Sequence, residues 1–65
     1  MRVDRIIIYP KDVQRITGKS ERYGRLLLKR IKDHLGKEDH QFVTVDEFSC
    51  YTGIKIEQVA ALLIS

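Results

Sequence analysis

The sequence predicts a mainly α single domain, residues 1–65, with a small two-stranded β element. Three observations point there. Amphipathic helical stretches are broken twice by Thr-Gly, at Thr17-Gly18 and Thr52-Gly53. Two short runs rich in β-branched and aromatic residues, RIIIY at 5–9 and QFVTV at 41–45, stand ahead of the helical stretches. Finally, the chain matches itself in physical pattern when Gly18 is laid over Gly53, an offset of 35 that pairs residues 8–28 with 43–63.

Taken in order, RIIIY reads as a strand. Ile8 then precedes a helix cap and Val13 lies one turn inside, so the two can form a hydrophobic staple that fixes how the chain enters the helix. Pro10 suits the first helical position and Asp12 the first turn. Gly18 ends this helix, Ser20 is a good N-cap for the next, and ERYGRLLLKRIKDHL runs on until Gly36 stops it. The polar loop GKEDHQ, 36–41, reads as a surface excursion or a short wing. QFVTV is the second strand, expected to pair with the first because an isolated strand leaves its ladder groups unsatisfied. The second unit repeats the design: Val43 and Phe48 form the staple, Thr44 and Glu47 a capping box, Gly53 the turn, and IEQVAALLIS the second helix. Each unit has the outline of a helix-turn-helix, giving a winged or tandem helix-turn-helix overall.

The net charge of +3 conceals a segregation. Residues 1–36 hold ten Lys/Arg against Asp4, Asp12, Glu21 and Asp33, a net of +6, and residues 37–65 carry a net of −3. An acidic partner is therefore expected for the first half. The longest apolar runs fall far short of the roughly 20 residues of a spanning helix, and MRVDRIII lacks the form of a signal peptide. A single cysteine, Cys50, excludes an intrachain disulfide. A cytoplasmic protein is expected, with Cys50 a buried, inert thiol beside Phe48 and Tyr51.

On a helical wheel with Arg22 at zero, Gly24, Leu27, Leu28, Ile31 and Leu35 fall between about 140° and 240° and form the core face. Arg22, Arg25, Lys29 and Lys32 fall between about 280° and 360°, a basic stripe suited to a phosphate backbone. Arg22 and Arg25 carry guanidinium forks that match guanine edges, while Lys19 and Ser20 stand at the helix start, where backbone N–H groups attract phosphate. The opposing reading is a merely solvated face, but only Glu21 and Asp33 lie near these four cations on the wheel. Leu26, at about 40°, falls on the polar side; packing under the strands or wing is its expected fate, with a partner contact or a thymine methyl as alternatives. Tyr23 borders the core.

The second unit carries no Lys or Arg in IEQVAALLIS. Val59 and Leu62 are expected inside, and because the stretch is apolar nearly all round, Ile56, Val59 and Leu63 are expected to form a dimer or partner surface. Enzymatic chemistry is not expected. GKS at 18–20 ends like a P-loop, but Val13 occupies the position of its required earlier glycine. Asp33, His34, Asp39, His40 and Cys50 have no recognised metal spacing, so neither cofactor nor metal is expected.

At DVQRITGKSERYGRLLLKRI the chain resembles the helix-turn-helix modules of small phage-type regulators and excisionases, and more distantly the MerR-like DNA-binding domain. Val13, Ile16, Thr17, Gly18 and Ser20 stand at the positions of that pattern. Gln14 and Gly24 depart from it: the first stands where a small residue is usual, the second where Ile or Val is. The helix crossing is then expected to draw its close approach from Gly24. The resemblance implies duplex DNA binding in regulation or recombination. A homodimer is expected, with neither a small-molecule substrate nor a membrane. Helix 20–35 would be the recognition helix. The alternative is a small protein-interaction or adaptor module docking through the apolar C-terminal helix.

Overall fold

The computed structural model describes residues 6–64. Four helices and two short strands follow one another as β1 (Ile7–Ile8), α1 (Pro10–Thr17), α2 (Glu21–Leu35), β2 (Val43–Thr44), α3 (Val45–Thr52) and α4 (Ile56–Ile64). The strands pair antiparallel, with Ile7 opposite Thr44 and Ile8 opposite Val43. The Val45 N–H donates to the Ile6 carbonyl at 2.8 Å, which extends the ladder by one bond. Because β1 precedes α1 and β2 follows α2, the pair is not a hairpin and supplies no wing; the arrangement is two βαα units in tandem.

At the offset of 35 the two units share their turn geometry and several of their local hydrogen bonds. Gly18 and Gly53 both adopt left-handed backbone, φ 74° and 79°. Their N–H groups donate to the carbonyls of Gln14 and Ser49. Thr17 and Thr52 donate their hydroxyls to the carbonyls of Val13 and Phe48, and accept from the N–H of Lys19 and Ile54. Asp12 accepts from the Tyr9 N–H at 2.9 Å as Glu47 accepts from the Thr44 N–H at 3.0 Å. Ile8 and Val43 are equivalent positions and are also each other's cross-strand partner. A local two-fold axis therefore runs through that pair.

The core takes Ile8, Val13, Leu28, Ile31, Val43, Val45, Phe48 and Val59, so every element contributes. Both staples are inside it. Gly24 is buried at the crossing of α1 on α2, where an added Cβ would lie 2.5 Å from the Pro10 carbonyl oxygen. The close approach does come through Gly24, while Gln14 is exposed.

Five expectations fail. Leu35, placed on the core face by the wheel, is 43% exposed because it lies in the last turn of α2, beyond buried Leu28 and Ile31. Cys50 is exposed, because it falls on the outer side of α3, away from buried Val45 and Phe48. Leu62 is 38% exposed, since α4 directs Val59 and Leu63 at the core and leaves Leu62 on its outer side with Ala61. Val59 is fully buried within its own chain and offers no partner surface. Leu26 is 49% exposed, for the reason given below. Among the described residues, no helix is long and apolar enough to cross a membrane.

Candidate nucleic-acid interface

The site is built on α2, whose start is set by Ser20: its hydroxyl accepts from the Tyr23 N–H at 3.1 Å. Lys19, just ahead of the cap, places its ammonium 5.6 Å from the centre of the Tyr23 ring, and Tyr23 itself packs on the core. At the far end Gly36 takes φ 72° and returns its N–H to the last turn. Fifteen residues between these caps give a rod about 22 Å long. Gly24, Leu28 and Ile31 are buried along one side, which fixes the opposite side toward solvent.

That outward side carries Arg22, Arg25, Leu26, Lys29 and Arg30, all exposed. Arg22, Arg25, Leu26 and Lys29 line one shallow depression. Leu26 lies in the middle of this basic surface because the strand pair packs on the other flank of α2 and no described residue covers its 40° side. Arg30 completes the ring one turn beyond Leu26 and was not singled out by the basic-stripe pattern; its spacing of four from Leu26 was the available signal. The structure thus brings Arg22, Arg25 and Lys29 together, with Lys19 and Ser20 exposed at the helix start.

Lys32 sits differently. It is half-buried, and its ammonium donates to the Asp39 carbonyl at 2.9 Å. The loop between α2 and β2 folds back to make this bond, held by the Glu38 N–H on the Gln41 side chain and the Gln41 N–H on the Glu38 carbonyl. Asp39 also stands 3.9 Å from Lys29, and Glu21 pairs with Arg25 at 3.0 Å. The compensating acid for Lys29 therefore comes from the loop, a long-range approach the helical wheel does not reveal. Both pairs are largely solvated, with Arg25 and Lys29 each 61% exposed at the side chain. Such pairs contribute on the order of 0–1 kcal/mol.

Behind the loop, Lys37 anchors to Glu47 at 3.1 Å. Glu47 is also the capping-box partner of Thr44. Partial burial raises its pKa, but the Thr44 N–H and the Lys37 ammonium outweigh that and hold the carboxyl below its ordinary 4.5. The α3 start, the loop and α2 are thereby fixed relative to one another.

The expected partner residues divide. Ile56 and Leu63 are half-buried against the core, and Val59 is within it. The exposed side of α4 holds Glu57, Gln58, Ala61 and Leu62. At the offset of 35, Glu57 stands where α2 has Arg22, Ala60 where it has Arg25, and Ala61 where it has Leu26. The same fold surface is cationic in one unit and nearly neutral in the other. No protein-family model matches the chain, and no curated protein or solved structure is similar to it.

Proposed function

We propose that the chain binds duplex DNA, as a small regulator or excisionase-like factor, with α2 laid in the major groove. The observation that carries this is the outward side of α2, where Arg22, Arg25, Lys29 and Arg30 surround exposed Leu26. Cations spaced over two helical turns meet phosphates on either side of a groove, and guanidinium groups near the helix start reach guanine edges. An apolar side chain at their centre suits a thymine methyl. The second unit, with its neutral equivalent surface, then serves the fold. Dimerisation on this reading uses Ala61 and Leu62 with the half-buried Ile56 and Leu63. The adaptor alternative docks through the same C-terminal helix and, like the dimer contact, is left without Val59.

Fluorescence anisotropy on mixed-sequence and genomic duplexes over a salt series tests the reading. Four phosphate contacts predict a loss of affinity of about 100-fold between 50 and 200 mM salt. Lys29→Ala should weaken all sequences alike, whereas Leu26→Ala should lower discrimination more than general affinity. Absence of duplex binding at low salt refutes it.

A further inference from the structure

Beside α2, between the strand pair and the loop, lies a groove of about 370 Å³. Its floor is core, made by Ile8, Leu28 and Val43, so its shape is set by the fold. Tyr9 and Phe42 stand over it, 51% and 54% exposed, their rings edge to face at 63° with centroids 5.9 Å apart. Arg25, Lys29 and Lys32 line its α2 side, together with Asp39, whose solvated carboxylate lies 3.9 Å from Lys29 and must give way to a bound phosphate.

Tyr9 is anomalous for folding. It is the N-cap of α1, yet its side chain makes no capping hydrogen bond. The equivalent residue of the second unit is Thr44, whose hydroxyl caps α3 by accepting from Glu47 N–H. Caps favour Ser, Thr, Asp and Asn strongly over other residues, so the first unit forgoes a stabilising cap to hold an exposed ring here. Phe42 likewise lies outside the core. The exchange gains an edge-to-face contact with Phe42 but leaves both rings about half in solvent over the groove, a placement that points to a role besides folding.

We propose that this groove takes an unpaired nucleotide of a DNA strand, the base against Tyr9 and Phe42 and the phosphate on Arg25, Lys29 and Lys32. The inference rests on the nucleic-acid reading above and deepens it, naming DNA with an unstacked base as the favoured substrate. Two rings set at a corner do not stack on each other and leave a face for a base, which any base can use. The volume is in the range of small-ligand sites. Arg25 and Lys29 also belong to the outward side of α2, so a strand tracking that surface passes the groove mouth. An acidic peptide with an aromatic anchor would meet similar chemistry; the shared use of these two cations by both surfaces favours the nucleotide.

The test compares anisotropy on three short duplexes of one sequence: fully paired, carrying one unpaired thymidine, and carrying an abasic site in its place. The thymidine duplex should bind roughly 10- to 100-fold tighter than the other two. Phe42→Ala and Tyr9→Thr should abolish that preference and leave fully paired binding unchanged. Tyr9→Thr should keep thermal stability near that of the parent, the restored cap offsetting the lost contact with Phe42, which separates loss of the ring from loss of the fold. Equal binding of all three by the unaltered chain overturns the nucleotide groove and leaves the duplex reading standing. Binding to none overturns both, and displacement of an environment-sensitive dye from the groove by an acidic Phe-containing peptide alone would assign it to a peptide instead.

Discussion

Gly24→Ala should destabilise the protein although alanine is the best helix former. In an exposed helix interior the exchange gains about 1 kcal/mol. At this position the new Cβ would lie 2.5 Å from the Pro10 carbonyl oxygen and 3.2 Å from the carbonyl carbon and Cα of the same residue. Carbon and oxygen approach to about 3.3 Å even in close C–H···O contacts, so α1 and α2 must part by up to about 0.8 Å. The obstructing atoms are backbone in the first turn of α1 and cannot rotate aside. Overpacking of this kind costs about 3 kcal/mol at the upper end of its usual range, leaving a net loss of about 2 kcal/mol after the gain in propensity. For a domain of this size that lowers the Tm by roughly 8–16 °C. Thermal and urea unfolding followed by far-UV circular dichroism read it directly, with surface Arg30→Ala as a control expected within about 0.5 kcal/mol of the parent. A Gly24→Ala protein as stable as the parent, or more so, would refute the close crossing.

Glu47, held below its ordinary 4.5, contributes stability that is fully present above that value and is lost as pH falls through the depressed one. Urea midpoints measured from neutral pH downward should fall in that window for the parent and fall less for Glu47→Gln; parallel curves would remove Glu47 from the account. Val59→Ala should cost about 2 kcal/mol, independent of protein concentration, because Val59 packs within its own chain; a concentration-dependent loss would return it to a dimer contact. Cys50 should react with a thiol reagent in the folded protein nearly as fast as in urea, and a reaction that requires denaturant would contradict its exposure.

Much of the fold is legible in the sequence because its determinants are local. Asp12, Ser20, Thr44 and Glu47 mark helix starts through hydrogen bonds three residues long, Pro10 does so through its fixed φ, and Gly18, Gly36 and Gly53 mark ends through a backbone conformation only glycine adopts cheaply. The strand pairing follows from the need to satisfy ladder groups. What escaped depends on approaches through space. Asp39 reaches Lys29 and Lys32 only because the loop folds back, which no helical spacing encodes. The outward turn of Leu26 and Cys50 depends on which flank of α2 and α3 the neighbouring elements choose. For the candidate site, Arg22, Arg25 and Lys29 were visible as a stripe, whereas the groove needed Tyr9 and Phe42, 33 residues apart, to meet across the strand pair.

The pairing of Ile8 with its repeat equivalent Val43 joins two similar units as two subunits would be joined, but within one chain. In such an object the segment between α2 and β2 acts as a tether, and its shortness sets the effective concentration at which one half meets the other. Neither half can close the core alone, since each supplies only part of it. Severing the tether would therefore leave the contacts untouched and still turn a unimolecular folding equilibrium into a bimolecular one, stable only in concentrated solution.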